Sequence, residues 1–199
     1  MVQIGDIQPT KEFDFSSEKI DENFSNYSAF HHRSVYIQRL EKSSRDVVES
    51  EFSIIENAIY TEPDDQSSWW YHQFLLTWIS QREQNSGEEN PPTTNWRSWF
   101  QSILDQQIKV MEGLLEIEAT SKWAMSSLSM MIELLLNLLC GEHSIDESEY
   151  NTQSTVHILN ERRNNLLTNL CEIDPFHTNR YKFLRRRKYI RSSMPVNIL

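Results

Sequence analysis

Residues 46–79 read DVVESEFSIIENAIYTEPDDQSSWWYHQFLLTWI, and the way that stretch divides decides the fold. In its first part Phe52, Ile55 and Ile59 follow Val48 by four, seven and eleven residues, the spacing of one face of a helix. Pro63 cannot continue that helix, and Asp64, Asp65, Ser67 and Ser68 offer side chains to cap the next one. Tyr71, Phe74, Leu75, Trp78 and Ile79 then repeat the pattern. Two helices joined by a short polar turn make a helical hairpin. A lone hairpin cannot bury two apolar faces, so this one needs neighbours of its own kind.

The flanks supply them. Ser25 and Asn26 can cap a helix over residues 27–40, with Tyr27, Phe30, Ser34 and Ile37 on one face. Residues 16–24 form a shorter helical segment with Ile20 and Phe24 four apart, and residues 1–14 read as a polar, extended lead-in broken by Pro9. On the other side, residues 81–94 (QREQNSGEENPPTT) form a polar loop. A long helix over residues 96–118 turns Phe100, Leu104, Met111 and Leu115 inward. The next, over 124–140, has a broad apolar face of Leu128, Met131, Ile132, Leu135, Leu138 and Leu139, which places it centrally in the packing. A second, acidic loop over 141–154 leads to a helix over 155–173 through Leu159, Leu166 and Leu170. Asp174-Pro175 ends it, and a last helix starts at 178. The fold class is all-α, one domain of helical hairpins over residues 1–199.

Composition agrees. The chain has four Gly and six Pro in 199 residues, which favours long helices over a turn-rich β fold. A net charge of −10 makes nucleic acid a poor default partner. The basic residues gather at Arg185, Arg186, Arg187, Lys188 and Arg191, either a patch for an anionic partner or a solvated helix end. Cys140 and Cys171 sit in apolar helical patterns and suggest buried thiols in a reducing compartment. The N-terminal residues have no hydrophobic signal core, and the most apolar run, residues 128–140, is too short to span a bilayer. A cytoplasmic protein without membrane insertion is expected.

The hairpin junctions recur. FSNYSAFHHR (24–33), PDDQSSWWYHQ (63–73), EATSKWAMSS (118–127) and DPFHTNRYKFL (174–184) each set a polar turn before an aromatic: Phe30, Trp69, Trp123 and Tyr181. An aromatic at the head of a second helix can wedge between successive hairpins and fix their stacking angle.

Asn26-Tyr27-Ser28-Ala29-Phe30-His31-His32-Arg33 is similar to the N-Y-x-x-W-x-x-R repeat of protein prenyltransferase alpha subunits, with Phe30 in place of Trp. Asp65 to His72 (DQSSWWYH) looks like a more diverged copy. In order, NFSNYSAFHHRS, AIYTEPDDQSSWWYHQFLL, LLEIEATSKW and EIDPFHTNRYKFL resemble the C-terminal repeats of the Rab geranylgeranyltransferase (type II) alpha subunit over residues 14–187. The resemblance implies a right-handed α-α superhelix, a crescent that wraps a catalytic beta subunit. The beta subunit would hold the zinc ion, so this chain needs no cofactor of its own. The heterodimer would transfer geranylgeranyl from its diphosphate to C-terminal cysteines of Rab proteins that an escort protein presents. The family's earlier repeats, which supply a lysine and aromatics near the diphosphate, are expected to be absent. Ser25 stands where a K-N-Y-type junction has its lysine, so no catalytic residue is carried over. A non-catalytic helical-repeat scaffold and a farnesyl or type I geranylgeranyl transferase alpha subunit are the alternatives.

Residues expected to touch a partner subunit are those of the junctions: Asn26, Tyr27, His31, Arg33, Trp69, Trp70, Tyr71 and His72. The other role open to them is packing within the repeat, with Arg33 or His31 satisfying carbonyls of a neighbouring turn. His31 and His32 point about 100° apart on a helix and cannot form an i, i+4 metal pair. Cys140 and His143 have the spacing of half a zinc site, but no second ligand pair follows. His72, His157 and His177 stand singly and read as surface or interface groups. Trp69, Trp70, Tyr71, Phe74 and Trp78 read as hairpin core plus wedge, with one of the two adjacent tryptophans exposed. Nothing in the chain looks able to perform chemistry alone, so catalysis falls to a partner.

Overall fold

The computed structural model describes residues 9–39, 45–82, 94–140 and 149–187, and their regular structure is entirely helical. The fold is an all-α helical repeat. It divides into two compact units, residues 1–87 and 88–199.

The first unit holds two hairpins: α1 (Pro9–Glu22) with α2 (Tyr27–Ile37), and α3 (Arg45–Thr61) with α4 (Gln66–Arg82). α2 packs on α1 and on α4, and α3 packs on α4. Phe30, Ile37, Val48, Phe52, Ile55, Ile59, Leu75 and Ile79 are buried between them, which confirms the helical spacing read from residues 46–79. The expected extended lead-in is corrected from Pro9 onward. Proline lacks the backbone N–H that a first helical turn leaves unpaired anyway, so Pro9 opens α1 instead of breaking it. The turn it opens is held by side chains: Glu12 reaches His32 Nε2 at 3.1 Å, and the Phe13 ring lies 3.8 Å below the Arg33 guanidinium. Residues 1–8 lie outside the described residues.

The second unit is α5 (Thr94–Ile117), α6 (Lys122–Cys140), α7 (Glu149–Ile173), a 3₁₀ turn (Pro175–His177) and α8 (Thr178–Arg186). α6 packs on both α5 and α7, and α8 packs on α7. The central position expected for α6 holds: Leu128, Met131, Ile132, Leu135 and Leu136 are buried, as are Phe100, Leu104 and Met111 of α5. With its 19 residues α6 is long and apolar enough to cross a membrane, contrary to the shorter run expected, but much of it is buried in the fold as a core helix. The acidic loop is also shorter than expected. α7 already begins at Glu149, because no Gly or Pro between residues 149 and 173 stops the helix from extending through its polar first turns. Residues 141–148 and 83–93 lie outside the described residues, while Gln81, Arg82 and Thr94 of the first expected loop are helical. The thiols differ from expectation as well. Cys140, on the last turn of α6, is exposed, and Cys171 is half-buried beside α8.

Candidate partner-binding face

Each hairpin turns on a capped helix start. Asn26 Oδ1 accepts from the Ala29 N–H at 3.1 Å, Asp65 Oδ1 from the Ser67 N–H at 2.8 Å, and Ser121 Oγ from the Ala124 N–H at 3.3 Å. At the fourth start His177 caps without a side-chain bond, and Asp174 instead accepts from the Tyr181 hydroxyl at 2.8 Å and pairs with His177 Nδ1 at 2.9 Å. Four residues after these caps stand Phe30, Trp69, Met125 and Tyr181, and all four are buried. The cap fixes where a helix begins, and the fourth position then points back over its first turn onto the preceding helix. Trp123 is therefore not the wedge of the third junction. It lies two residues after the cap and is half-buried under Lys122 Nζ, while Met125 fills the wedge position against Leu167, Leu170 and Tyr181. Trp69 keeps its ring buried by donating its indole N–H to the Pro63 carbonyl at 2.8 Å.

Behind the first two junctions lies a buried ion pair. Arg33 meets Glu51 through two parallel bonds, Nε to Oε2 at 2.5 Å and Nη2 to Oε1 at 2.6 Å. Its Nη1 donates to the Phe13 carbonyl at 3.1 Å and to the hydroxyls of Ser16 and Ser17 at 3.1 and 2.6 Å. The Tyr71 hydroxyl completes Glu51 at 2.7 Å. Burial works against the Arg33 charge, but the bond and charge of Glu51 outweigh it and hold the guanidinium above its ordinary value. Burial, then the Glu51 charge, pushes the Tyr71 phenol well above its ordinary value. One arginine thus ties α1, α2, α3 and α4 together. A second tie joins the two turns, where Ser67 Oγ donates to the Ser25 carbonyl at 3.3 Å and the Ser25 hydroxyl bonds the Glu62 carboxylate.

The junction residues therefore divide into two sets. Arg33, Trp69, Tyr71 and His72 are buried and hold the repeats from inside. His72, expected at the surface or an interface, is fully buried with its ring at the edges of Phe52 and Trp69, because α3 covers that side of α4. His157 and His177 are exposed. Tyr27, placed inward by its spacing, is instead 50% exposed at the first turn of α2, where its ring meets His31 and Trp70. Tyr27 stacks on His31 (6.0 Å between ring centres, 11° between planes), and both meet Trp70, at 5.4 and 5.9 Å. Trp70 is half-buried, while Trp69 is the tryptophan that turns inward. The row continues along α4 through Phe74 and Trp78, stacked at 6.0 and 6.3 Å and half-buried too. Trp70, Phe74 and Trp78 are spaced four apart, as are Tyr27 and His31, and that spacing was the available signal that Phe74 and Trp78 belong to a surface row rather than to the core. Glu51 was missed as well. It lies three residues after Val48 and four before Ile55, an acid inside an apolar stripe. Among the described residues no group of His, Cys, Asp or Glu is arranged to hold a metal ion, and His143 lies outside them.

Residues 9–40 and 48–79 match the model of the protein prenyltransferase alpha subunit repeat, one match on each hairpin of the first unit. The first unit is a pair of prenyltransferase alpha subunit repeats. Beyond the repeats, the chain is similar to the geranylgeranyl transferase type-2 subunit alpha of Schizosaccharomyces pombe, 26% identical over 193 residues covering 89% of this chain and 50% of that protein. The Dictyostelium discoideum protein of that name is 29% identical over 158 residues, covering 78% of this chain and 40% of its own length. The human one is 37% identical over 79 residues, covering 35% of this chain and 14% of its own. The chain thus spans at most about half the length of these relatives. The two matched repeats carry both the Arg33–Glu51–Tyr71 tie and the aromatic row.

Proposed function

We propose that this chain acts as the alpha-type subunit, or the C-terminal part of one, of a Rab geranylgeranyltransferase in the cytoplasm. In this role it braces a catalytic beta subunit. That partner would hold the zinc ion and transfer geranylgeranyl from its diphosphate to C-terminal cysteines of Rab proteins brought by an escort protein. The observation that carries this reading is the row of ring contacts through Tyr27, His31, Trp70, Phe74 and Trp78 on the two matched repeats. A continuous strip of partly exposed aromatics on a capped, internally tied scaffold has the composition of an interface core. The names of the relatives supply the class of partner. Two free cysteines suit a reducing compartment.

The test is capture of the native chain from its own cells with an antibody to its C-terminal peptide, followed by intact masses of everything retained. Co-recovery of a beta-type prenyltransferase subunit is expected. A chain recovered without such a partner would remove the enzyme-subunit role and leave a free helical scaffold.

A further inference from the structure

We propose that α8 and the 3₁₀ turn before it form a docking patch for an anionic lipid surface. Residues 175–199 hold seven of the 19 Lys and Arg in the chain and none of its 29 Asp and Glu. Such a segment in a chain of net charge −10 is a strong charge asymmetry along the sequence, and its cations suit an anionic surface. α8 buries Tyr181 and rests Leu184 against the Leu167 and Leu170 cluster of α7. At 100° per residue, that leaves Arg186 outermost, with Lys182 to one side of it, Phe183 to the other and Arg180 beyond Phe183.

Phe183 is 67% exposed, and Phe176 in the 3₁₀ turn is 96% exposed. Two exposed phenyls thus lie on or next to a helix whose exposed charges are all cationic. Arg180, Lys182 and Arg186 make no ion pair among the described residues. Arg185 reaches the Thr168 hydroxyl at 3.1 Å, while Arg187 leans on Glu133 at 3.7 Å. Long cationic arms stand beside the exposed Phe183 ring on α8, and Phe176 is exposed in the turn before it. That arrangement suits a partner whose charges are mobile. Lipid phosphates can gather under the guanidinium groups while the phenyls enter the boundary between headgroups and acyl chains. A protein segment with fixed carboxylates is the competing occupant, and retention on immobilised polyglutamate would reveal it.

The test is flotation of the full chain with vesicles of phosphatidylcholine alone and of phosphatidylcholine mixed with phosphatidylserine. Binding is expected only to the mixed vesicles and should fall as salt is raised. The triple variant R180E/K182E/R186E should bind at least about tenfold less, and F176S/F183S should also lose most of the binding. The charge-keeping variant R180K/R186K should bind like the parent, and equal circular dichroism of all forms separates lost binding from lost fold. Absence of flotation, equal flotation with neutral vesicles, or binding indifferent to these substitutions would overturn the proposal. So would a chain whose binding ignores the Phe changes and which is instead retained on immobilised polyglutamate, since that outcome assigns the patch to an acidic protein segment.

Discussion

Glu51 is the side chain on which the first unit closes. It takes two bonds from Arg33 and one from Tyr71, all out of water. Cutting one member from such a pair strands the other charge, so Glu51→Ala is expected to cost about 3–5 kcal/mol. Tyr71→Phe, which keeps the ring and leaves one carboxylate oxygen short of a donor, should cost about 1–3 kcal/mol. Replacing the pair together, Arg33→Met with Glu51→Leu, should recover much of the loss, because two apolar side chains leave no charge uncompensated. Urea titration of the four proteins checks this, and a double variant as weak as Glu51→Ala would show that the pair does more than neutralise itself.

The second unit has its own buried acid, and here the consequence is a pH dependence. Burial alone would raise the pKa of Asp174, but hydrogen bonds from Tyr181 and His177 hold it below the ordinary carboxylate value. The unfolded chain then binds that proton more readily than the folded one. The Asp174 contribution is therefore complete above the ordinary value of about 4 and is lost as pH falls through the lower folded value. Tyr181 runs the other way. Burial, then the bond and charge of Asp174, raises its phenol. Its contribution is complete below the ordinary value of about 10 and is lost as pH rises toward the higher folded one. Tyr181→Phe should shrink both the acid and the alkaline fall in melting temperature. Tyr71 is shifted in the same direction, so part of the alkaline fall should remain. Identical pH profiles for Tyr181→Phe and the parent would contradict the Asp174 pairing.

At the scale of the helix, the cap sets the register of everything after it. The fourth position after Asn26, Asp65, Ser121 and His177 is buried whether it holds Phe, Trp, Met or Tyr. Met125→Ala should therefore cost about 2–5 kcal/mol and Trp69→Ala about 3–5 kcal/mol. Trp123→Ala, on a half-buried ring, should cost less than Met125→Ala despite the larger side chain. Thermal unfolding would decide, and the reverse order would return the wedge to Trp123. This position also explains what the sequence did and did not disclose. The hairpins were legible because the apolar stripes of α3 and α6 repeat at helical spacing and Pro63 and Asp174-Pro175 punctuate them. The third wedge is not legible from aromaticity, because distance from the cap is what places a side chain over the turn. Glu51 was missed because a glutamate in a helix is read as solvated unless its arginine is known, and Arg33 lies 18 residues away on another helix. In the candidate site, Tyr27, His31 and Trp70 are legible in the sequence as junction residues, but the split between inner ties and outer row follows from which flank of α4 is covered by α3, a tertiary fact with no local sign.

At the scale of the molecule, stability and partner binding are assigned to different residues of the same repeats. Arg33, Glu51, Trp69 and Tyr71 are inside, so changing them tests folding. Tyr27, His31, Trp70, Phe74 and Trp78 are half-buried or exposed, and their rings contact one another along α2 and α4. A strip of this kind left bare favours self-association, which a partner would relieve. Trp70 is the centre of the row, touching Tyr27, His31 and Phe74. If the row is the face that holds a beta-type subunit, Trp70→Asp places a carboxylate in the middle of an apolar contact. An anchor of this kind is worth at least about 2 kcal/mol, so capture of the partner should fall by about thirtyfold or more. The melting temperature of the isolated chain should move far less than with Trp69→Asp, the neighbouring ring that is buried. The pair of variants therefore separates the two roles: one loses the partner and keeps the fold, and the other loses both. Undiminished capture by a folded Trp70→Asp chain would mean that the partner sits on another surface and that the row has some other occupant.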